Sequence, residues 1–583
     1  MSLKTSVKKS LRGAIEAVDI YPLVIIGAAI FTLTTMVRIQ MDIERDTTAF
    51  LFDCIQMSLA CMISYSLFST ALFKKLNKSI LMSHVSSLSV LLVAFLALFM
   101  FSRPTSDAYT RMRVTDIATA RIFIWISACF LAYIVFSARK SFSISFFVFL
   151  KALAIAFIYG SVLMSGTTGV AGAVQGLLYN DMSEKVYMHL SALVLFTSFT
   201  IFIGSFPSLD LEGHDPIRLT FEKKPNFIKI LFTNIMIPII GALTLVLLLW
   251  IGKALLGDWP NFNTVMGIVI SYAIFGIFLY LMVLPGQDKI GDMYKKLFPF
   301  ASILILLFGV YAFTRHISQE AFRGQEYYFI LVILTSLVIM ILMLVKKDKS
   351  QNVIPFLVMF SMVVSVLPMI GYHQLPVNLE VDRLASVLED QGILVDGEII
   401  GNSSIGDDLK GEITESVDYL VYSRDADLPE WLSRDLKEQD YFEDTFGFER
   451  TWHKREFNDD YVYLHLRPSS HSIEGYDYAV YLEHSKASFM GEKGWYDLQW
   501  INDSPSGIKI YLDDRLILED YLEDYFIALD QVGSKEGGKI EDLSYKLESD
   551  EIDILMVFQY ASFRRDDDDS NYAEVKVIYI KEK

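Results

Sequence analysis

Three ionisable residues lie inside long apolar segments of this sequence, where charged side chains are rare. Lys151 stands nine residues into one such segment, Asp53 about one turn into another, and Arg121 just inside the start of a third. A charge within the hydrocarbon core of a bilayer costs on the order of several kcal/mol unless it faces protein or water. These three residues are therefore the first candidates for chemistry within membrane-spanning helices.

Lys151 is the most informative of the three because it lies about 14 Å into its segment, near the middle of a bilayer. Two interpretations are open. The ammonium lines a polar pathway or binds an anion, or it is a structural group that is paired or capped by carbonyls inside the bundle. Asp53 is a candidate partner, although the two predicted depths differ by several ångströms. Arg121 is expected to be an anchor at the membrane interface.

The elements that must position these residues are eleven apolar segments, most of them close to the roughly 20 residues that cross a bilayer. The hydrophobic content of 53% and the mean hydropathy of +0.37 exceed the values of most soluble proteins. We therefore predict a polytopic α-helical membrane bundle of about eleven transmembrane helices, with a range of ten to twelve. The segments lie near 21–37, 49–73, 80–101, 119–138, 142–164, 186–206, 227–252, 263–284, 298–314, 327–345 and 352–371.

The balance of acidic and basic residues changes at the point where the apolar segments end. Residues 1–371 carry 30 basic and 20 acidic side chains, whereas residues 372–583 carry 21 basic and 49 acidic side chains. The sequence thus predicts a transmembrane domain (1–371) followed by an acidic soluble domain (372–583). A formal charge of −28 repels nucleic-acid phosphates and suits a cation, a cationic peptide or a basic protein. Alternatively, the charge only keeps an exposed domain soluble.

Basic residues in the loops predict the orientation. The N-terminus and the loops on its side hold 18 Lys and Arg residues, and the opposite loops hold 9. Because positive residues stay in the cytoplasm, the N-terminus is expected to be cytoplasmic. An odd number of helices then places the acidic domain outside the membrane on the extracytoplasmic side.

The acidic domain has the pattern of two helices followed by strands. Val381, Leu384 and Leu388 recur at helical spacing, as do Leu409, Ile413, Val417 and Leu420. Beyond residue 460 the period changes to two, near 461–467, 476–484, 508–513, 551–560 and 571–581. The expected fold is therefore an α+β domain with an antiparallel sheet.

Metal and cofactor signals are weak. Asp566–Asp569 form four consecutive carboxylates, which fit a cation site or a solvated hairpin tip, but they lack the alternating spacing of a calcium loop. The histidines of the acidic domain form no closely spaced pair of zinc ligands, and no nucleotide, protease or kinase motif is present. We predict no metal and no cofactor, and the absence of a recognisable catalytic motif weakens an enzyme function without excluding it. The small-residue run 165–176 is expected to form a re-entrant loop or a separate amphipathic helix at the surface.

Three stretches resemble a known bacterial family. Phe227-Ile-Lys-Ile-Leu-Phe with Pro238, Leu297-Phe-Pro299, and Arg383-Leu followed by Gly392-Ile-Leu-Val-Asp-Gly397 are similar to the family called domain of unknown function 4153. The resemblance covers residues 20 to 450. It implies a multi-pass protein of the bacterial cytoplasmic membrane, often with a soluble C-terminal extension, and it implies no particular activity. A family-like loop is represented by Arg315, Gln319 and Tyr327, but Gly324 and Glu326 replace the Glu and Arg that the family pattern has there.

Three functions remain open at this point. The first is a transporter-like protein with a polar route near Lys151 and an outer binding domain. The second is an envelope-facing sensor or scaffold whose acidic domain binds a partner. The third is a membrane-embedded enzyme that acts on lipid-linked substrates, and it is weakened because Asp53 is the only carboxylate well inside an apolar segment.

Overall fold

The chain forms two compact units, residues 1–450 and 451–583, in a computed structural model. The first unit extends beyond the predicted boundary at residue 371, which marks the end of the apolar helices. The structure describes residues 17–41, 47–102, 114–137, 141–205, 226–257, 262–284, 288–317, 321–423, 426–451, 461–466, 473–482, 485–501, 506–532, 535–538, 540, 542–564 and 567–583.

Ten helices within these described ranges are long and apolar enough to cross a membrane. They confirm the predicted helical membrane bundle. The short apolar segment predicted at 298–314 lies within a longer helix, Lys289–Ile317. The helices are α1 (Pro22–Gln40), α2 (Thr47–Lys75), α3 (Ile80–Phe101), α4 (Asp116–Ser137), α5 (Phe142–Leu177), α6 (Lys185–Gly204), α7 (Ile230–Leu255), α8 (Phe262–Val283), α9 (Lys289–Ile317) and α10 (Gly324–Lys346).

Helix α5 continues through the small-residue run 165–176, so the predictions of a re-entrant loop or a separate surface helix are both wrong. It has 36 residues and a length of about 54 Å. Single glycines cost a helix only about 1 kcal/mol each, which is too little to end a long apolar helix that contains no proline. A Cβ at Gly166 or Gly169 would meet no atom within 4 Å, so close packing does not require these glycines.

The last predicted span, 352–371, forms a short helix and a turn segment instead of one long helix. Helix α11 (Ile354–Val364) has 11 residues and is followed by turns over residues 365–374. Pro368 has no N–H group with which to continue the helical hydrogen bonds. A Cβ at Gly371 would lie 2.5 Å from a carbonyl oxygen of the same turn, so the turn requires glycine at this position.

Together, α11 and the turn segment still run from one end of the bundle to the other. At the end where α5 begins, Ser143 Oγ donates a hydrogen bond to Gln351 Oε1 (2.6 Å). At the end where α4 begins, Arg121 Nε donates to the carbonyl oxygen of Val366 (3.3 Å). Consecutive helices alternate in direction, so these two ends lie on opposite sides of the bundle. The chain therefore leaves the bundle on the side where α4 and α10 begin.

Polar groups between the membrane helices bond to one another. Ser69 Oγ of α2 lies 2.8 Å from Ser83 Oγ of α3, and Tyr21 Oη lies 2.9 Å from Tyr133 Oη of α4. All four residues are almost fully buried. Such interhelical hydrogen bonds satisfy groups that the hydrocarbon cannot, and they fix the helix pairs.

Helices α8 and α9 pack closely at Gly276. A Cβ at this position would lie 2.0 Å from Cζ of Phe298. Tyr294 of α9 also donates a hydrogen bond to the Gly276 carbonyl oxygen (2.9 Å). Only glycine leaves room for the ring, so this contact depends on the missing side chain.

The first unit ends in a juxtamembrane segment, residues 375–450, which has its own apolar core. It contains α12 (Leu375–Asp390), the short strands β1 (Leu394–Val395) and β2 (Glu398–Ile399), α13 (Asp407–Tyr422) and α14 (Gln439–Phe446). The two helices predicted from the apolar stripes correspond to α12 and α13. Leu388, Val417 and Phe442 are fully buried where these helices meet.

The described residues of the second unit form two β-sheets and one helix, α15 (Glu523–Val532), and confirm the predicted antiparallel sheet. One sheet has the order β4-β12-β11-β3-β9, with β10 also paired to β11; β3 and β9 are parallel and the other pairs are antiparallel. The other sheet has the order β5-β6-β7-β8. The strands are β3 (Tyr461–Leu466), β4 (Tyr478–Val480), β5 (Lys486–Met490), β6 (Trp495–Ile501), β7 (Gly507–Leu512), β8 (Arg515–Asp520), β9 (Lys535–Gly538), β10 (Ser544–Glu548), β11 (Ile552–Arg564) and β12 (Asp567–Glu582).

Candidate functional site

Five charged side chains meet where the bundle joins the juxtamembrane segment, and we call them the charged junction: Arg323, Glu380, Arg383, Glu412 and Glu415. Nη2 of Arg323 lies 3.9 Å from Oε1 of Glu380 and 3.6 Å from Oε2 of Glu415. Nη1 of Arg383 lies 3.5 Å from Oε2 of Glu380, and its Nη2 lies 2.5 Å from Oε1 of Glu412. Glu380 therefore lies between the two guanidinium groups.

Local structure places these residues. Arg323 is the N-cap of α10, and its backbone N–H donates to Oε2 of Glu326 (3.1 Å), which fixes the start of that helix. Glu380 and Arg383 are three residues apart on α12 and so lie on one face of it. The two other carboxylates are also three residues apart, on α13. The junction therefore joins the start of a membrane helix to two helices outside the bundle.

Burial makes the central carboxylate of the junction dependent on its partners. Glu380 is only 1% exposed. A buried charge is tolerated only when it is paired, because its loss of hydration is otherwise uncompensated. Among the residues that the structure describes, Oε1 of Glu380 and Nε of Arg323 make no hydrogen bond. The central pair is thus an ion pair at 3.9 Å without a direct hydrogen bond.

The surroundings of the junction carry excess negative charge, since three carboxylates face two guanidinium groups. The Arg323 guanidinium also lies 5.5 Å from the centre of the Tyr419 ring. Burial, and next the charge of Glu380, raise the pKa of Tyr419 to about 12. The phenol therefore stays protonated at physiological pH and remains an uncharged neighbour of the pair.

Two further membrane helices are tied to the same region through a histidine. Nε2 of His316, at the end of α9, lies 3.5 Å from Oε1 of Glu326. The imidazole stacks on the ring of Phe262 at the start of α8, with 4.2 Å between the ring centres. The ends of α8, α9 and α10 are thereby held beside the junction.

The charged junction is a network of ion pairs. It consists of carboxylates that are neutralised by guanidinium groups, and not of a nucleophile beside a base. In the described parts of the chain, no three His, Cys, Asp or Glu side chains are arranged to hold a metal ion. Side chains of this kind can couple two structural elements or respond to a charged partner.

The predicted intramembrane residues do not converge on one site. Oδ1 of Asp53 accepts a hydrogen bond from Nη1 of Arg38 (2.6 Å), and the same nitrogen donates to Gln56 Oε1 (3.0 Å). Arg38, near the end of α1, is thus an ion-pair partner of Asp53 on the adjacent helix. The pairing of Asp53 with Lys151 stays a prediction. Lys151 lies half-buried on α5.

Arg121 and the family-like loop lie on the side of the bundle where the junction is found. Arg121 bonds to the turn segment, as described above, and the Tyr327 hydroxyl donates to the carbonyl oxygen of Val364 (3.4 Å). Arg315 lies in the last turn of α9, and Gln319 lies outside the described residues. The loop is therefore close to the junction, although the junction itself uses Arg323.

Sequence reasoning overlooked Glu380, although one signal was available. It stands three residues after Val377 and four before Leu384, and both of these are buried core residues of α12. A carboxylate on the apolar stripe of an amphipathic helix is unusual and indicates a buried partner. Arg323 offers no comparable signal, because loop arginines are common.

No protein family, curated protein or solved structure matches this chain in any of the three comparisons. The resemblance to domain of unknown function 4153 therefore stays a prediction. One stretch quoted for it, 383–397, and the family-like loop 315–327 both contribute a residue to the charged junction, Arg383 and Arg323. The chain has the structure of a multi-pass integral membrane protein with a C-terminal unit of β-sheets.

Proposed function

We propose that this protein is a sensor or scaffold of the bacterial cytoplasmic membrane, in which the charged junction couples the helical bundle to the acidic C-terminal region. In this proposal the N-terminus is cytoplasmic and the acidic region faces the envelope. The observation that carries it is the position of Glu380, which is 1% exposed and lies between arginines of the bundle boundary and of α12.

The distribution of polar groups favours this function over transport. Asp53 is neutralised by Arg38. Described polar groups deeper in the bundle, such as Ser69 with Ser83, bond to each other. The densest charge network of the described residues is instead outside the apolar helices, where a signal between domains would pass.

The negative charge of residues 372–583 indicates which class of partner would bind. Residues 372–450 carry 6 basic and 20 acidic side chains, and residues 451–583 carry 15 basic and 29 acidic ones, so each part has a formal charge of −14. Such surfaces attract cationic peptides or basic proteins and repel nucleic acid. The proposed partner is therefore a basic protein or peptide at the membrane surface.

The experiment measures coupling in the full-length protein held in lipid nanodiscs. An oligolysine peptide serves as the cationic probe, and hydrogen exchange is followed in the first turn of α10. Binding is expected to change that exchange by about fivefold or more, the size of a typical coupling between two sites. An uncharged peptide of equal length is the control.

The double variant Arg323→Met/Glu380→Leu separates coupling from binding. It should still bind oligolysine, because most of the acidic surface is unchanged, but the exchange of α10 should no longer respond. Binding to the unaltered protein without any change in α10 would contradict the proposed function.

A further inference from the structure

A cavity of about 630 Å³ lies between α3 and α4, near the ends of these helices on the side where the chain leaves the bundle. Its walls are almost wholly apolar and include Val93, Ala97, Phe101 and Ile122. Val93 and Phe101 are largely exposed, so the cavity is at the perimeter of the bundle, where acyl chains surround a membrane protein. Its volume is within the range of sites that hold small molecules.

Among the described residues that line this apolar cavity, Arg121 is the charged one. It stands five residues after the start of α4, about 8 Å along the helix, which is the depth of lipid headgroups and upper acyl chains. A second cavity, of about 380 Å³, lies on the other side of Arg121 and Trp125 and is also apolar. The guanidinium thus stands between two hydrophobic spaces.

The guanidinium of Arg121 has unused hydrogen-bonding capacity. Its Nε donates to Val366, which leaves the N–H groups of Nη1 and Nη2 without a hydrogen-bond partner among the residues that the structure describes. No carboxylate in the same described ranges forms a salt bridge with it. Two parallel N–H donors match the oxygens of a phosphate. The adjoining Trp125, one turn further along α4, is a residue typical of the membrane interface.

We infer that this cavity binds an anionic phospholipid of the bilayer, with its phosphate on Arg121 and an acyl chain between α3 and α4. Apolar walls alone would accept any lipid, and the positive charge of Arg121, which pairs with no carboxylate of the described residues, selects an anionic one. The inference concerns lipid binding and not lipid turnover, and the described lining residues include no carboxylate or histidine. The site is separate from the charged junction and does not depend on the proposed function.

The test compares lipid retention by the full-length protein in native mass spectrometry. Phosphatidylglycerol and phosphatidylcholine of equal chain length are offered in equal amounts. The unaltered protein should retain the anionic lipid, and Arg121→Gln should lower that retention about tenfold, the effect of losing one charge-assisted contact. Arg515→Gln changes the net charge equally on the exposed surface of the second unit and should have no effect.

A second variant keeps the inference testable if Arg121→Gln disturbs the bundle. Ala97→Phe fills the cavity from an exposed position and keeps the arginine. It should reduce phosphatidylglycerol retention while the thermal unfolding of the protein stays unchanged. Equal retention of both lipids by the unaltered protein would mean that only non-specific surrounding lipid is present, and this result would overturn the inference. Undiminished retention by Arg121→Gln would overturn it too.

Discussion

The charged junction predicts a large and localised effect of replacing Arg323 with methionine. Removing one partner of a buried ion pair costs about 3–5 kcal/mol when the other charge is left uncompensated. Here Glu380 keeps Arg383 at 3.5 Å, and the Arg323 side chain is 26% exposed, so we expect a smaller loss of about 2 kcal/mol. This loss corresponds to about thirtyfold faster hydrogen exchange for amides of α12 and α13 that exchange by local opening.

The assay is hydrogen exchange read by mass spectrometry on the full-length protein in nanodiscs. The double variant Arg323→Met/Glu380→Leu removes both charges of the central pair and should recover at least about 1 kcal/mol of the loss. Arg515→Met is the matched control, because it breaks an exposed pair in the second unit and should cost less than about 0.5 kcal/mol. The reasoning is refuted if Arg323→Met changes the exchange by less than about twofold, or if the two substitutions are additive.

Three further predictions concern other parts of the chain. Gly276→Ala should destabilise the bundle by about 1–3 kcal/mol, because the new methyl group would overlap the ring of Phe298. Gly241→Ala is the control: a Cβ at this position meets no atom within 4 Å, so thermal unfolding in detergent should change very little. Asp53→Asn should lower the thermal stability by about 1–2 kcal/mol by removing the carboxylate from Arg38, and unchanged unfolding would contradict this pairing. Burial raises the pKa of Asp520 in the folded state above its value in the unfolded state, so the ionised carboxylate opposes folding. The second unit therefore has its full stability below the unfolded-state pKa and loses stability as the pH rises through the folded-state pKa. Asp520→Asn should therefore stabilise the second unit against denaturant at pH 7 and not at pH 3, and an equal effect at both values would count against burial as the cause.

Much of the fold was predictable because its signals are local. A run of about 20 apolar residues indicates a membrane helix whatever the rest of the chain contains. Apolar and polar residues that alternate with a period of two indicate a half-buried strand. The predicted strand near 508–513 corresponds to Gly507–Leu512, for example. Local signals mislead where propensity is weak, as in 165–176, where the small residues favoured a re-entrant loop or a separate surface helix and the apolar helix instead continued.

The site was not predictable in the same way, because its contacts are not local. Arg323 and Glu380 are 57 residues apart, and neither position shows its partner. Lys151 is conspicuous in the sequence because it is a single charged residue within an apolar segment. The pairing of Asp53 shows the same difficulty, since a cation that pairs with it, Arg38, comes from the preceding helix.

The most direct test of whether function resides at the junction or along a membrane route is thiol accessibility at position 151. A single cysteine replaces Lys151 in a full-length protein whose native cysteines are changed to serine, and a membrane-impermeant maleimide is applied from each side. Lys349→Cys and Glu523→Cys, both at exposed positions, report the orientation in the same experiment. The account predicts labelling of these two controls and none at position 151 from either side. Labelling at position 151 would reveal an aqueous path to mid-bilayer and would contradict the account in favour of transport. The native cysteines are Cys54, Cys61 and Cys129, and all three are buried.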